Sequence, residues 1–227
     1  MKPGAFAHVV FDLDGTLVDT KDDLAEAVNV ALAALGLPRQ PPATLWGYVG
    51  QGARVLVERA LGAEHAARTE DALAVFLAWY REHLLDRTRL YPGIAAAVAA
   101  LRADGVACSV LTNKPADMSW AIVRGLGLGE AFPRLVGGDT LAVRKPDPAG
   151  LRHLMDEAGV GAPATLMVGD SAIDVATGQN AGVATCGVLW GFNGEAVRAS
   201  APDVVIATPR AVVTLARDGV PPGTSVA

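Results

Sequence analysis

The sequence has few of the residue types that build disulfide, redox or histidine metal sites. Only two cysteines and four histidines occur among its 227 residues, and Cys108 and Cys186 stand far apart with no C-x-x-C spacing. No histidine has a second ligand at metal-binding spacing. Neither a disulfide scaffold nor a zinc site fits this pattern. We therefore predict two buried free thiols and no catalytic histidine.

Long hydrophobic runs and an excess of basic residues are also missing. No apolar run reaches the roughly eighteen residues that a membrane-spanning helix needs. The first residues lack the charged segment and apolar stretch of a signal peptide. The net charge of −5 disfavours a broad surface for nucleic-acid phosphates, although a local basic pocket can still bind one anion. We expect a cytoplasmic protein that binds neither membranes nor nucleic acids; no oligomeric state is predicted.

Glycine-rich nucleotide loops are not found either. No G-x-x-x-x-G-K-[ST] segment occurs, which excludes nucleoside triphosphate hydrolysis through such a loop. Gly50-Gln51-Gly52 lacks the third glycine of a dinucleotide loop and follows no convincing strand. We interpret this segment as the start of a helix.

What the chain does contain is an alternation of apolar strand-like runs and helical segments. The predicted strands are 8–12, 107–113, 165–170, 185–190 and 203–207, and the predicted helices are 93–104, 116–126, 148–158, 171–181 and 209–217. The strands are apolar throughout rather than at every second residue, so both faces of their sheet should be covered. This pattern predicts an α/β fold with a doubly wound parallel sheet, a Rossmann-like core.

One segment interrupts the alternation, because residues 20–90 read as successive helices over 22–35, 52–61 and 66–85. Tyr91-Pro92-Gly93 marks the return to the alternating pattern. We predict a small all-helical cap, residues 20–90, inserted after the first strand of an α/β core formed by residues 1–19 and 91–218. The remaining residues, 219–227, are predicted to be a loosely ordered tail.

The first strand ends in two carboxylates, Asp12 and Asp14, followed by Gly15 and Thr16. Side chains two residues apart in an extended segment project to the same side, so both carboxylates can face one reacting centre. Two such carboxylates can bind a metal ion, form a covalent intermediate or act as general acid and base. Ordinary turn chemistry is the alternative, and a calcium loop lacks its further ligands here.

Other polar side chains follow later strands. Thr112 and Asn113 end the second predicted strand, Asp170 ends the third with Asp174 four residues on, and Lys145 lies in a loop before a helix. Ligands bind beyond the carboxyl ends of strands in open α/β sheets. Taken singly, these residues are explained as helix caps or a solvated loop charge. Together they form a set suited to phosphoryl transfer.

The ordered set resembles the four motifs of the haloacid dehalogenase superfamily over nearly the whole chain. The motifs are Asp12-Leu13-Asp14-Gly15-Thr16, Leu111-Thr112-Asn113, Lys145-Pro146 and Gly169-Asp170-Ser171-Ala172-Ile173-Asp174. Within the superfamily the chain is most similar to the bacterial phosphoglycolate phosphatase family. Supporting segments are Gly50-Gln51-Gly52-Ala53, Thr112-Asn113-Lys114-Pro115, Gly137-Gly138-Asp139, Lys145-Pro146-Asp147-Pro148 and Trp190-Gly191-Phe192-Asn193.

The resemblance implies hydrolysis of a small phosphorylated metabolite through an aspartyl-phosphate on Asp12. Asp14 would act as acid and then as base, and Lys145 and Thr112 would assist. Mg²⁺ would be held by the Asp12 carboxylate, the Asp14 carbonyl and Asp170, with Asp174 in or near the next layer. The residues expected to bind the substrate are Gly15, Thr16 and Asn113 in the core and Gln51 and Arg54 in the cap. Arg54 is chosen because arginine suits bidentate binding of a small carboxylate, and a solvent-facing Arg54 is the alternative.

The sequence leaves three alternative functions open. A hydrolytic dehalogenase uses the same fold, but such enzymes generally lack the second aspartate, which is present here as Asp14. A phosphatase for another small phosphate, a pyrophosphatase or a phosphomutase would share the core residues and differ in the cap. A catalytically silent module that binds a phosphorylated metabolite would keep the fold without turnover.

Overall fold

A computed structural model describes residues 5–220, and a six-stranded parallel sheet forms its centre. The strands, in chain order, are β1 (His8–Phe11), β2 (Val18–Asp19), β3 (Arg89–Leu90), β4 (Ala107–Leu111), β5 (Arg134–Val136), β6 (Thr165–Gly169), β7 (Ala184–Val188) and β8 (Val204–Ile206). The main sheet has the order β5-β4-β1-β6-β7-β8, and every neighbouring pair is parallel. This confirms the predicted doubly wound α/β class.

The helices of the described residues are α1 (Lys21–Ala34), α2 (Pro42–Trp46), α3 (Ala53–Leu61), α4 (Thr69–Glu82), α5 (Ile94–Ala103), α6 (Ala116–Gly125), α7 (Ala149–Ala158), α8 (Ala172–Ala181) and α9 (Arg210–Asp218). Helices α5 to α8 pack against the main sheet, whereas α1 to α4 pack chiefly against one another. Alternate residues of β1 point to opposite faces, so Val9 and Phe11 belong to one apolar cluster and Val10 to the other. Both faces are therefore buried, as the continuous apolar character of the strands predicts.

Helices α1 to α4 lie between β2 and β3, which form a separate antiparallel ribbon. Val18 pairs with Leu90 and Asp19 with Arg89. The ribbon is the place where the chain leaves the α/β core and returns to it. An all-helical insertion follows the first strand, as predicted, while the exact domain bounds remain a prediction.

Several elements differ from the sequence-based expectation. Strands β2, β3 and β5 and helix α2 were not predicted. The strands have only two or three residues and α2 has little more than one helical turn, and none of them stands out as an apolar run. The helix expected over 66–85 is divided into a 3-10 helix, Ala63–Arg68, and α4. Cys108 and Cys186 are buried free thiols, as predicted.

Two predictions concern the chain as a whole. Within residues 5–220, no helix is long and apolar enough to cross a membrane. The predicted loose tail falls mainly on residues 221–227, which lie outside the described residues.

Candidate active site

The candidate site lies at the carboxyl ends of three adjacent strands in the middle of the sheet. Asp12 follows β1, Thr112 follows β4 and Asp170 follows β6. All three side chains are buried. The parallel order of the strands thus brings together residues that are about 100 and 58 positions apart in the sequence.

Lys145 joins Asp12 to Asp174. Its Nζ lies 2.8 Å from Asp12 Oδ1 and 2.6 Å from Asp174 Oδ1, and all three side chains are almost inaccessible. Burial alone would lower the pKa of Lys145, but Asp12 and Asp174 raise it above its ordinary value. Lys145 is therefore a fixed positive charge beside Asp12, and not a solvated loop lysine.

Asp174 is placed by the start of α8. Ser171 is the N-cap residue, and the Asp174 Oδ2 atom accepts hydrogen bonds from Ser171 N at 3.1 Å and Ser171 Oγ at 2.6 Å. This capping box satisfies backbone donors that a helix start would otherwise leave free. Because Oδ2 is used by the cap, Oδ1 is turned to Lys145.

Asp170 is held by a loop that follows β7. Its Oδ2 accepts hydrogen bonds from Asn193 N and Asn193 Nδ2, both at 3.2 Å. A Cβ on Gly191 would lie 2.3 Å from Asp170 Cβ, and one on Gly15 would lie 2.5 Å from Asp170 Oδ2. The two glycines therefore let the backbone approach the carboxylate closely. Asn193 was not predicted as a site residue, although it ends the Trp190–Asn193 segment noted above.

Asp12, Asp170 and Asp174 form a cluster suited to a divalent cation. One carboxylate oxygen of each lies within 4.8 Å of the others, and all three residues are buried. Burial, and then the nearby Asp174, raise the pKa of Asp12 above its ordinary value, and the same two causes raise that of Asp170 to about 6. Lys145 alone does not balance three carboxylates. An all-oxygen donor set of this kind fits a hard cation such as Mg²⁺.

Asp14 faces a second buried lysine. Lys114 Nζ lies 2.8 and 2.9 Å from the two Asp14 carboxylate oxygens, and Thr20 Oγ1 donates to Asp14 Oδ1 at 2.7 Å. Burial lowers the pKa of Lys114, but Asp14 and Tyr80 raise it above its ordinary value. Lys114 and Thr20 are absent from the residues that the sequence predicts for the site. The one available signal is that Lys114 directly follows Thr112-Asn113.

The other predicted core residues also lie at this edge of the sheet. Thr16 Oγ1 and Asn113 Oδ1 are buried and have no hydrogen-bond partner among the described residues. Asn113 Nδ2 donates to the Lys145 carbonyl at 3.2 Å, and Thr112 Oγ1 accepts from Lys114 N at 3.2 Å. Thr16 and Asn113 therefore keep polar atoms that a ligand can use.

A cavity connects the two aspartates with the helical segment. It is lined by Asp12, Asp14, Leu24, Val49, Gly50, Gly52, Ala53, Leu56, Phe76, Leu77, Tyr80, Thr112, Asn113, Lys114, Pro115 and Met118. Helices α1, α3 and α4 thus supply much of its wall. The cavity joins the predicted reacting groups to residues of the insertion.

The two predicted binding residues of the cap do not line this cavity. Gln51 is exposed. Arg54 makes a bidentate ion pair with Glu70, with Nη1 2.7 Å from Oε1 and Nη2 3.0 Å from Oε2. Its guanidinium is thus occupied on the surface of the insertion, and the structure does not bring it to the aspartates. Its role in binding stays a prediction.

Comparison with known proteins gives consistent matches along the chain. The model of the haloacid dehalogenase-like hydrolase family matches residues 9–188. A phosphoglycolate phosphatase of Rhodospirillum rubrum is 45% identical over 197 residues, which cover 83% of this chain and 82% of the relative. A phosphoglycolate phosphatase of Pseudomonas putida is 42% identical over 220 residues, covering 93% of this chain and 80% of that protein.

A solved structure gives a similar result. The crystal structure of a predicted phosphoglycolate phosphatase from Haemophilus somnus superposes with a TM-score of 0.88 at 31% identity. The match covers 93% of this chain and 98% of the Haemophilus chain. The similarity therefore includes the helical insertion as well as the sheet.

Proposed function

The chain belongs to the haloacid dehalogenase-like hydrolase family, and from this premise we propose that it is a Mg²⁺-dependent phosphomonoester hydrolase whose substrate is phosphoglycolate. The observation that carries the proposal is the contact between the buried Asp12 carboxylate and Lys145, beside Asp170 and Asp174. The relatives named as phosphoglycolate phosphatases, 40–45% identical over most of their length, support the substrate.

Asp12 is the proposed nucleophile. Its Oδ1 is held by Lys145, which orients the carboxylate and offsets charge as the phosphoryl group approaches. Attack on phosphorus forms an aspartyl-phosphate and releases the alkoxide of the substrate. Phosphate esters react slowly in water, so fixing the nucleophile and neutralising the equatorial oxygens is the main task of the site.

Asp14 is the proposed acid and base. It follows Asp12 by two residues and lines the same cavity, so its carboxyl group can protonate the departing oxygen and later accept a proton from water. Thr20 and Lys114 fix its orientation. Thr112, Thr16 and Asn113 supply hydrogen-bonding groups around the transferring phosphoryl group, and Gly15 lets the backbone beside it approach Asp170 closely.

Asp12, Asp170 and the Asp14 carbonyl are the proposed Mg²⁺ ligands, with Asp174 holding Lys145 next to them. The bound ion supplies positive charge that offsets the repulsion between the carboxylates and the phosphate. Residues 20–90 are the proposed cap, because α1, α3 and α4 close the cavity over the aspartates.

Phosphate release from a panel of small phosphomonoesters tests this function. We expect the highest kcat/KM for phosphoglycolate, loss of activity when Mg²⁺ is chelated and its return when Mg²⁺ is added. Asp12→Asn should lower kcat by at least about 10³-fold, since the covalent step is lost.

Other outcomes would identify the alternatives. Preference for hexose phosphates, or transfer of phosphate between sugar hydroxyls, would contradict the substrate. Equal, negligible turnover of an aryl phosphate by the wild type and Asp12→Asn would indicate a binding module.

A further inference from the structure

The cavity beside Asp12 is mostly apolar on the side of the insertion. Val49, Leu56, Phe76 and Leu77 supply aliphatic and aromatic wall atoms there. A substrate with a second negative charge needs a cation or hydrogen-bond donors at that end. Among the described residues that line this cavity, Lys114 is the only one with a cationic side chain.

Lys114 is placed by the α/β core and reaches the insertion. Its Nζ contacts both Asp14 oxygens and lies 4.8 Å from the centre of the Tyr80 ring, and its side chain is 5% exposed. An ammonium group carries three donor hydrogens. One carboxylate therefore does not exhaust Lys114, which can donate to a further anionic group while it remains on Asp14.

Tyr80 adds a second observation from the insertion. It belongs to α4, is 1% exposed and lines the cavity. Its hydroxyl lies beside the Lys114 ammonium, but no contact with a described residue has the geometry of a hydrogen bond. A buried hydroxyl without a partner is costly. A ligand oxygen in the cavity would satisfy it.

We infer that Lys114 and Tyr80 bind the carboxylate of the substrate and so select short phosphorylated hydroxy acids over neutral phosphate esters. The inference rests on the proposed function and deepens it. It assigns recognition of the second charge to a core lysine and an α4 tyrosine, and not to Arg54, which is paired with Glu70. Asp12 receives the phosphoryl group while Lys114 and Tyr80 receive the carboxylate.

The test compares phosphoglycolate with ethyl phosphate, which has the same two-carbon length but no carboxylate. The readout is the ratio of their kcat/KM values. Lys114→Met should lower this ratio about 100-fold, as expected for a lost charged hydrogen bond. Loss of orientation at Asp14 lowers both values together and leaves the ratio unchanged, so the ratio separates recognition from positioning.

Tyr80→Phe is the conservative second variant, because it removes only the hydroxyl. We expect it to lower the same ratio about 5-fold. 2-Aminoethyl phosphate gives a further check, since its ammonium should be repelled by Lys114. Its kcat/KM relative to phosphoglycolate should therefore rise in Lys114→Met. The far-UV circular dichroism spectrum of each variant shows that the fold is intact, because turnover of ethyl phosphate itself falls in Lys114→Met when Asp14 loses its contact with the lysine.

The outcomes distinguish failure of the proposed substrate from failure of the assignment of its carboxylate to Lys114 and Tyr80. A wild-type enzyme with no preference for phosphoglycolate over ethyl phosphate overturns the proposed substrate. A wild-type preference that persists in Lys114→Met and Tyr80→Phe overturns only the present inference. A preference lost in Arg54→Ala but retained in Lys114→Met assigns the carboxylate to Arg54 instead.

Discussion

Single side chains around Asp12 serve structure and chemistry at once. Asp174 uses one carboxylate oxygen to cap α8 through Ser171 and the other to hold Lys145. The helix-cap interpretation is therefore correct for Ser171 and Asp174, and it is compatible with the proposed role of Asp174 beside the phosphoryl-transfer site. The cap fixes the rotamer of Asp174, and Asp174 in turn fixes the lysine that contacts Asp12.

A substitution at Gly15 tests whether its close packing positions Asp170. Its φ of +83° is in the left-handed region, and an added Cβ would lie 2.5 Å from Asp170 Oδ2. Gly15→Ala should therefore displace Asp170 and lower kcat about 100-fold, since misplacement of about 1 Å has effects of this size. Steady-state kinetics with saturating Mg²⁺ measures the loss.

Gly36→Ala is the matched control. Gly36 also has a positive φ, +70°, but an added Cβ meets no atom within 4 Å. Both variants carry the cost of left-handed backbone, about 1–2 kcal/mol. If Gly36→Ala reduced kcat as strongly as Gly15→Ala, backbone strain and not contact with Asp170 would explain the loss.

At the scale of elements, the β2–β3 ribbon is short but reinforced by α1. Asp23 is buried on α1, and its carboxylate accepts hydrogen bonds from Arg87 N, Thr88 N and Thr88 Oγ1 at 2.8–3.0 Å. One side chain thus accepts hydrogen bonds from the backbone N–H groups that lead from the insertion into β3. This contact joins the two ends of the inserted segment.

Asp23→Asn should destabilise the protein by about 2–3 kcal/mol. The amide keeps the shape of the carboxylate but removes its negative charge from three hydrogen bonds and turns a donor NH2 group toward the Arg87 N–H. Urea unfolding followed by circular dichroism measures the change. Asp22→Asn, in the same turn of α1 but half-buried, is the control and should change stability by less than about 0.5 kcal/mol. Equal effects of the two substitutions would contradict this role of Asp23.

At the scale of the molecule, the fold could be predicted from hydrophobic patterns that extend over several residues. Buried strands of four to five residues, such as Thr165–Gly169, form continuous apolar runs, and helices of nine or more residues show an apolar period. The ribbon strands Val18–Asp19 and Arg89–Leu90 leave none, because a two-residue pairing depends on contacts between distant parts of the chain.

Some residues of the candidate site could be predicted from the sequence and others could not. Asp12, Asp14, Thr112 and Asp170 were predictable, because the carboxyl ends of parallel strands meet at one edge of the sheet. Lys114, Tyr80 and Asn193 were not, since each reaches the site through packing between segments far apart in sequence. Arg54 illustrates the reverse case: its residue type suits a carboxylate, but Glu70 of the same insertion already pairs with it.

Direct trapping tests whether Asp12 forms the covalent intermediate. Asp14→Asn treated with an aryl phosphate and Mg²⁺ should accumulate the aspartyl-phosphate, because this leaving group needs no acid while hydrolysis loses its base. Acid quench, borohydride reduction and peptide mass spectrometry then locate the modified residue. We expect homoserine at position 12, and none when Asp12→Asn is added to the same variant. A stoichiometric burst of phenol without modification at position 12 would contradict it.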